Sequence, residues 1–273
     1  MRTWVNGRLL DADAATVSAF DHGLTVGDGV FETLKVVRGV PFALTRHLDR
    51  LRASAAGLGL AAPADADIRA AVAEVLGAHD QAEVGRLRIT LTGGRGPLGS
   101  DRGSAGPTLV VAVSAASPWP ATTRLGAVPW PRNERSAVVG LKTTSYAENV
   151  VALAHVKAAG AGEALFLDTR GHLCEGTGSN VFVVVGGRLL TPALSTGCLA
   201  GVTRALVLEW VGAEEVELPA AVLEDAEEVF ITSSTRDVSP VEAVDDRAYL
   251  APGPATAQAQ RVFAERSAAD LDP

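Results

Sequence analysis

The sequence predicts an α+β protein of two domains. Its strand-like and helix-like segments are interleaved, but they lack the regular strand–helix–strand rhythm of a doubly wound sheet. The chain has 273 residues, 47% of them hydrophobic and 21% charged, so it is long enough to bury a large core. Pro118 and Pro120 mark the predicted boundary, with a smaller domain over residues 1–116 and a larger one over residues 117–273.

The first domain is predicted to be rich in strands. Asn6 and Gly7 lie between short apolar runs and are typical of a hairpin turn. Alternation along the third strand places Phe31, Thr33 and Lys35 on one face. Apolar residues recur at helical spacing from residue 44 onwards. In order, the predicted strands cover residues 3–5, 8–10, 30–37, 87–91 and 108–113, and the predicted helices cover residues 44–58 and 66–76.

The second domain is predicted to mix helices and strands in the same irregular way. Its first helix is expected to end at Gly160, because glycine favours helix termination. In order, the predicted helices cover residues 145–159, 202–211 and 255–268, and the predicted strands cover residues 164–168, 181–185 and 228–232.

Composition and charge exclude several kinds of function. The net charge of −8, without a basic patch, argues against a nucleic-acid surface. No apolar run is long enough to span a bilayer, and the N-terminus lacks a signal-peptide pattern, so we expect a cytoplasmic protein without membrane contact. Cys174, Cys198 and the histidines show no ligand spacing, so no metal site is expected. Any cofactor is therefore expected to be organic.

One glycine pattern matches a dinucleotide-binding motif, but the residues around it do not. Gly94, Gly96 and Gly99 satisfy the G-x-G-x-x-G spacing of dinucleotide-binding proteins. That site needs a helix directly after the glycines, whereas Pro97 and a further glycine continue this segment as a loop. Dinucleotide binding is therefore not expected.

The chain contains the lysine that pyridoxal phosphate would need. This cofactor requires a lysine for its Schiff base, a carboxylate beside its pyridine nitrogen and donors around its phosphate. The only lysines are Lys35, Lys142 and Lys157. Lys157 lies near a predicted helix C-terminus, where a cation stays in water. Lys142 follows an apolar run, where burial favours the neutral, nucleophilic amine. Lys142 is therefore preferred, although position alone does not exclude Lys35.

The carboxylate and the phosphate donors lie further along the chain. Glu175 precedes a turn, residues 176–179, whose glycines let the backbone approach a ligand closely. Residues 201–203 open a predicted helix, and its N-terminal amides with the Thr203 hydroxyl suit a phosphate. A second hydroxyl cluster, residues 232–235, follows a buried strand. An ordinary N-cap threonine and an ordinary polar loop are the alternative interpretations.

At these residues the chain resembles the class-IV aminotransferase family, which consists of fold-type IV pyridoxal-phosphate enzymes. The family pattern is matched by residues 175–182, 189–191 and 199–204. Further matches at residues 27–33, 47–51 and 142–146 extend the resemblance over nearly the whole chain. The resemblance implies a smaller N-terminal α/β domain, a larger C-terminal pseudo-barrel domain, and a homodimer with the active site between domains.

The resemblance also implies roles for individual residues. Lys142 would be the catalytic residue that carries the cofactor, and Glu175 would face the pyridine nitrogen. The phosphate would be bound by Arg50, Val202, Thr203 and Ser234, and Tyr146 would donate to the phenolic oxygen. Other cofactor contacts are expected at Asn180, Leu199, Gly201 and Ser233. The expected contacts with a small amino substrate are Phe31, Thr33, Arg88, Arg95 and Thr235.

Within the family, the compact length and the segments 93–96 and 142–146 most resemble the 4-amino-4-deoxychorismate lyases. Phe31 stands where D-amino-acid aminotransferases carry tyrosine, and their Arg-x-His carboxylate trap is not visible after Gly94. The lyases bind substrate carboxylates with a strand residue and a loop arginine, roles that Arg88 and Arg95 would take. The expected reaction forms 4-aminobenzoate and pyruvate. The alternatives are an aminotransferase for branched-chain amino acids, D-amino acids or R-amines, and a pyridoxal-phosphate carrier without activity.

Overall fold

The chain folds into two compact units. The computed structural model describes residues 2–79 and 84–273. Unit 1 comprises Met1–Ser117, Leu141–Tyr146 and Leu271–Pro273, and unit 2 comprises Pro118–Gly140 and Ala147–Asp270. The predicted division at residue 116 therefore omitted two later segments that return to unit 1.

Backbone hydrogen bonds explain why those segments return. The amide of Phe31 donates to the carbonyl oxygen of Lys142 (3.0 Å), and the amide of Thr144 donates to that of Gly29 (2.8 Å). Near the C-terminus, the amide of Ala43 donates to the carbonyl oxygen of Leu271 (2.6 Å). These bonds join residues far apart in sequence, so a linear composition change could not reveal them.

Unit 1 is built on a six-stranded antiparallel sheet in the order β2-β1-β6-β5-β3-β4. Helices α2 and α3 cover one face and supply apolar side chains to a shared core. The strands are β1 (Arg2–Val5), β2 (Arg8–Asp11), β3 (Gly29–Val37), β4 (Val40–Pro41), β5 (Val84–Thr92) and β6 (Thr108–Ala115), and the helices are α1 (His22–Thr25), α2 (Leu44–Gly57) and α3 (Asp65–Gly77).

Alternation along β3 decides which side chains face the core of unit 1. Val30, Leu34 and Val36 point into the core, as the period of two requires. Phe31 and Thr33 therefore lie on the opposite face, where the predicted parity placed them. Glu32 shares the core face, which is an unusual position for a carboxylate.

Unit 2 contains a nine-stranded mixed sheet in the order β12-β11-β10-β13-β14-β7-β8-β9, with β15 paired to β14. The β11/β12, β14/β7 and β7/β8 pairs are parallel and the others are antiparallel. The strands are β7 (Thr123–Ala127), β8 (Glu163–Leu167), β9 (Leu173–Gly176), β10 (Asn180–Val185), β11 (Arg188–Pro192), β12 (Glu214–Val216), β13 (Glu228–Ser233), β14 (Asp237–Val244) and β15 (Arg247–Ala248). The helices are α4 (Ala147–Ala158), α5 (Val202–Val211), α6 (Val222–Asp225) and α7 (Pro254–Ala269).

The long predicted elements of both units are confirmed within a few residues, and the fold class is α+β. The prediction missed the short α1 and α6 helices and the strands β4, β7, β9, β11, β12, β14 and β15. β14 contains Pro240, and proline within a run argues against a strand in sequence-based reasoning. The helix expected from residue 145 begins at Ala147, because the preceding segment pairs with unit 1 instead.

Two further properties can be stated of the residues that the structure describes. None of their helices has the length and hydropathy needed to cross a bilayer. No cluster of three or more histidine, cysteine or acidic side chains suited to a metal ion occurs among them.

Candidate active site

The segment carrying Lys142 is fixed in unit 1 by its backbone. Its amide donates to the hydroxyl of Ser54 on α2 (3.1 Å), and its carbonyl oxygen accepts from the amide of Phe31 on β3 (3.0 Å). The side chain of Leu141 packs against Gly57, where an added Cβ would meet the Leu141 methyl groups at 2.7–2.8 Å. The backbone of Lys142 is therefore held in place by contacts with β3 and α2.

The amine of Lys142 lies beside a pair of aromatic rings. The rings of Phe31 and Tyr146 meet edge to face, with centroids 5.3 Å apart. Lys142 Nζ lies 4.4 Å from the Phe31 centroid and 6.0 Å from the Tyr146 centroid. Rings that face a cation attract it through their quadrupole. This part of unit 1 therefore holds the amine against an apolar wall.

Arg88 shares the Phe31 ring with Lys142. It lies on β5 opposite Thr33 of β3, and its guanidinium carbon is 3.5 Å from the Phe31 centroid. Part of the side chain stays exposed, yet burial of the guanidinium lowers the pKa of Arg88 below its ordinary value. Since arginine keeps its charge at neutral pH, a cation lies beside the amine, where it suits a carboxylate.

A buried carboxylate on β3 joins this strand to helix α2. Glu32 is fully buried and accepts two hydrogen bonds from Arg50, at 2.8 Å from Nε and 2.7 Å from Nη2. It also accepts from His47 Nδ1 at 2.6 Å. Two donors on one helix therefore bind the same carboxylate on β3, and this fixes the rotation of α2.

The charges of this network follow from its contacts. Burial opposes ionisation of Glu32, but Arg50 and His47 outweigh it and hold the pKa of Glu32 well below its usual range. Burial lowers the pKa of His47 against the attraction of Glu32, with Arg50 and Lys142 adding to the decrease. A neutral His47 therefore donates its Nδ1 hydrogen to the Glu32 carboxylate.

In unit 2, Glu175 is bound to the segment that precedes α5. It lies on β9, and its Oε2 accepts from the amide of Leu199 at 2.9 Å. The carbonyl oxygen of Leu199 accepts from Asn180 Nδ2 at 2.8 Å. An added Cβ at Gly201 would overlap Asn180 Oδ1. Glu175 and Asn180 thus bracket one residue, and the glycine lets α5 begin close to both.

Arg132 is a further neighbour of Glu175. Its Nε lies 3.4 Å from Glu175 Oε1, and its guanidinium carbon is 4.3 Å from the centroid of Phe166. It also donates to Glu148 at 2.5 Å and to Asn149 at 3.3 Å. With a cation fixed on this side, the Glu175 carboxylate is suited to face the protonated nitrogen of a pyridine ring.

The donor set of unit 2 fits a phosphate ester. Gly201 is the N-cap of α5 and makes no side-chain capping bond, so the first amides of this ten-residue helix have no partner within it. On the neighbouring strands, Asn180 is paired with Thr232. The buried hydroxyls of Ser179 and Thr232 have no hydrogen-bond partner among the described residues. Unassigned donors of this kind match an anionic ligand.

The structure groups the predicted residues by unit. Unit 1 brings together Lys142, Phe31, Tyr146 and Arg88, with Thr33 opposite Arg88. Arg95 lies apart in the loop between β5 and β6, where its backbone bridges to Asp21 and its side chain is exposed. Unit 2 brings together Glu175, Asn180, Leu199 and Gly201, with Val202 and Thr203 in the first turn of α5 and Ser233, Ser234 and Thr235 at the β13–β14 turn.

Arg50, which local sequence alone would place on the surface, is paired with Glu32. Sequence reasoning missed Glu32 and Arg132, together with Glu163 and Arg236. Glu32 had a signal, because a carboxylate at a core position of an alternating strand demands a partner. The other three had none, since their partners are distant in sequence.

The two cysteines beside this region are buried and free. Burial raises the pKa of Cys198 to about 11, and burial likewise raises the pKa of Cys174 far above its usual range. Both are therefore protonated at neutral pH and pack as apolar side chains.

The fold and the site define a pyridoxal-phosphate enzyme, and a family comparison specifies which kind. The family model described as amino-transferase class IV matches residues 29–244. The chain therefore belongs to the class IV aminotransferase family.

Curated relatives carry different activities in their names. A putative branched-chain-amino-acid aminotransferase of Methanocaldococcus jannaschii is 34% identical, over 90% of this chain and 89% of the relative. The D-alanine aminotransferase of Bacillus licheniformis is 30% identical, over 95% of each chain. The aminodeoxychorismate lyase of Bacillus subtilis is also 30% identical, over 90% of this chain and 87% of the relative.

Similar solved structures also include both aminotransferases and lyases. The fold IV-transaminase CpuTA1 from Curtobacterium pusillum is 32% identical, with a TM-score of 0.85 over 94% of this chain and 92% of that one. The 4-amino-4-deoxychorismate lyase from Pseudomonas aeruginosa is 31% identical, with a TM-score of 0.83 over 99% and 100%. A T.th. branched-chain amino acid aminotransferase, solved with pyridoxamine 5'-phosphate, is 26% identical, with a TM-score of 0.86 over 97% and 93%. The cofactor is therefore pyridoxal phosphate.

Proposed function

We propose that the protein is a lyase that converts 4-amino-4-deoxychorismate to 4-aminobenzoate and pyruvate. The observation that carries the proposal is the stack of Arg88 on Phe31 beside the amine of Lys142. The proposed substrate is an unsaturated six-membered ring that carries carboxylates. The Phe31 ring suits the ring of this substrate, and the guanidinium of Arg88 stacked on it suits a substrate carboxylate. The lyase from Pseudomonas aeruginosa, which this chain matches over its whole length, gives further support.

The cofactor, when bound, supplies an aldehyde for the substrate amine and a ring that withdraws electrons from the adjacent carbon. The residues of this chain have the remaining tasks. Lys142, once its amine is free, takes the proton from the substrate carbon that bears the amino group. The bond between the ring carbon and the enolpyruvyl oxygen then breaks, and the six-membered ring becomes aromatic. Lys142 returns a proton to the methylene carbon of the leaving group, which yields pyruvate.

Glu175 of unit 2 and Glu32 of unit 1 have different roles in this proposal. An ionised Glu175 keeps the pyridine nitrogen protonated, and Arg132 holds it in place. Glu32 is buried on the core face of β3 and is paired with Arg50. Its part is to fix α2, and through Ser54 the backbone of Lys142.

A second candidate is an aminotransferase acting on branched-chain or D-amino acids, or on R-amines. It is favoured by the 34% identity to the Methanocaldococcus jannaschii relative and the 32% identity to CpuTA1. Both reactions begin with removal of the same proton by Lys142. They differ in where the proton returns, so the cofactor-binding residues serve either one.

A substrate assay separates the two. The protein, loaded with pyridoxal phosphate, is incubated with 4-amino-4-deoxychorismate, and pyruvate is followed with a coupled dehydrogenase. We expect pyruvate and 4-aminobenzoate in equal amounts without an added keto acid. Absence of pyruvate, together with conversion of an amino acid in the presence of 2-oxoglutarate, would establish the aminotransferase instead.

Labelling tests the residue assignment independently of turnover. Borohydride reduction of the loaded protein, followed by peptide mapping, should place the pyridoxyl label on Lys142. The Lys142→Ala variant should remain unlabelled, whereas Lys35→Ala should label like the parent. A label on Lys35 would contradict the assignment, and a label on Lys142 without turnover of any substrate would favour the carrier protein.

A further inference from the structure

A buried carboxylate in unit 2 binds the turn that follows Glu175. Glu163, the first residue of β8, is only 5% exposed. Its Oε1 accepts from the hydroxyl of Thr177 and from the amide of Gly178 (3.1 Å). These donors belong to the turn between β9, which carries Glu175, and β10, which begins at Asn180. Glu163 therefore controls the shape of the link between two cofactor-binding residues.

The other oxygen of Glu163 binds a second loop. Its Oε2 accepts from Arg236 Nη2 at 3.1 Å. Arg236 belongs to the β13–β14 turn, and its amide donates to the hydroxyl of Ser233 at 3.3 Å. Its guanidinium carbon lies 3.8 Å from the centroid of Trp119. The stack and the ion pair together fix the direction of this arginine.

The turn and the loop lie at the same end of the sheet. β10 and β13 are antiparallel, and Asn180 is opposite Thr232. The turn that precedes Asn180 and the residues that follow Thr232 therefore share one edge. The first holds Glu175 in position for the pyridine nitrogen, and the second presents the serine hydroxyls expected at the phosphate.

We propose that Glu163 and Arg236 are positioning residues that set the distance between the carboxylate for the pyridine nitrogen and the hydroxyls for the phosphate. Neither touches the cofactor in this role, and both act through the loops that they join. The proposal rests on the cofactor, not on the choice between lyase and aminotransferase. The result of the substrate assay therefore does not decide it.

The Glu163–Arg236 pair is suited to this role because it is buried, so that neither charge is tolerated without the other. Both side chains are more than nine-tenths buried, with 7% of the Arg236 side-chain surface and 6% of the Glu163 side-chain surface exposed. Removing one charge leaves the other uncompensated in a poorly solvated place, so the two loops rearrange rather than keep an unpaired ion. Burial lowers the pKa of Arg236 against the attraction of Glu163, which agrees with this desolvation.

Binding of two cofactor forms tests the proposal. The apo-proteins of the parent, Glu163→Gln and Arg236→Lys are titrated by equilibrium dialysis with pyridoxal phosphate and with pyridoxal, which lacks the phosphate. We expect both variants to bind pyridoxal phosphate about tenfold more weakly, because moving a phosphate donor out of reach costs about one charged hydrogen bond, while pyridoxal binding changes much less. The preference for the phosphorylated form should therefore fall.

The surface pair Arg188–Glu214 supplies a matched control in the same unit. Arg188→Met should leave both affinities as in the parent. Thermal unfolding of each apo-protein separates loss of stability from loss of positioning. If Glu163→Gln does not fold, Arg236→Lys, which keeps the charge, decides the question. A preference for pyridoxal phosphate over pyridoxal that equals the parent's in the folded variants overturns the proposal, whatever their melting temperatures.

Discussion

Glu32 is a charged residue within an otherwise apolar strand face. Val30 and Leu34 flank it on that face and are fully buried. Such a carboxylate is tolerated only when its charge is compensated and its oxygens accept hydrogen bonds. Arg50 and His47 meet both conditions. The strand therefore depends on two residues of a helix that begins after its end.

Replacing Glu32 should cost much stability and alter its pH dependence. Glu32→Gln leaves Arg50 without its counter-ion, so we expect a loss of roughly 3–5 kcal/mol at neutral pH. Because the pKa of Glu32 is lowered on folding, its contribution is present above the ordinary value of 4.5 and is lost as the pH falls further. Urea unfolding across a pH series measures both effects.

The variant should therefore lose less stability than the parent when the pH is lowered below the ordinary range of a glutamate. Glu265→Gln, at an exposed position of α7, is the control and should follow the parent. Equal acid sensitivity of the parent and Glu32→Gln would show that the buried pair does not set this dependence.

Arg88 should contribute to substrate binding and not to cofactor binding. Arg88→Met removes the cation that lies on the Phe31 ring. We expect the KM for a carboxylate-bearing substrate to rise about tenfold or more, as for loss of a charged hydrogen bond, with unchanged affinity for pyridoxal phosphate. Steady-state kinetics and equilibrium dialysis measure the two quantities.

Arg86 offers a close control for Arg88. It lies two residues earlier on β5, on the same face, and is exposed. Arg86→Met should behave as the parent in both measurements. A similar rise in KM for both variants would assign the effect to the charge of the face rather than to the stack on Phe31.

Candidate functional residues can be predicted from sequence where the pattern that indicates them is local. Lys142 and Glu175 stand beside an apolar run and a glycine turn, and both patterns are local. Glu163 and Arg236 are 73 residues apart, and their pairing exists only after the strands of unit 2 are arranged. The same holds for Arg132 and Glu175. Candidate residues for ligand contact are thus easier to predict than the residues that would hold them in position.

Helix α2 begins against residues from the far end of the chain. Its N-cap, Ala43, makes no side-chain capping bond. Instead, the carboxylate of Asp272 accepts from the amide and the hydroxyl of Thr45, at 2.7 and 2.6 Å. Arg46 donates to the carbonyl oxygen of Pro273 at 2.7 Å. The acceptors that a helix usually finds in its preceding residue come here from the last three residues.

Removing this remote cap should loosen the start of α2. Asp272→Ala should cost about 1 kcal/mol, as for loss of an N-cap acceptor, and should speed amide exchange in the first turn of the helix. Urea unfolding and hydrogen exchange measure these effects. Glu265→Ala serves as the control, and unchanged exchange at Thr45 in Asp272→Ala would contradict the capping role.

The elements differ in how far they could be predicted. α2 and α5 carry apolar residues at helical spacing, and α5 has the predicted bounds of residues 202–211. β9 and β12 have four and three residues, too few for an alternating pattern to emerge. Their pairing with β8 and β11 supplies the hydrogen bonds that define them. Short strands are therefore products of the sheet rather than of their own sequence.

The family resemblance leads us to propose a homodimer, and α4 offers an apolar surface for it. Val150 and Val151 are 64% and 54% exposed, while Ala152 and Val156 on the same helix are buried in unit 2. Exposed apolar side chains on a helix that is already packed are suited to a second contact.

A double substitution tests this surface. Val150→Glu with Val151→Glu places two charges on it, so the dimer should dissociate at protein concentrations where the parent remains associated. Light scattering measures the mass. Leu250→Glu changes another exposed apolar residue of unit 2 and should leave the mass unchanged. A doubly substituted protein with the mass of a dimer would exclude α4 from the contact.

The return of residues 141–146 to unit 1 has a consequence for dividing the gene. A cut after residue 117 leaves Lys142 on the second fragment, while Phe31 and Ser54, which bind its backbone, stay on the first. The first fragment then lacks two segments of unit 1, whereas the second contains all of unit 2 together with those segments. Recombination between related genes at that boundary exchanges the lysine without its supporting strand and helix. Chimaeras should therefore keep residues 141–146 and 1–117 from the same parent.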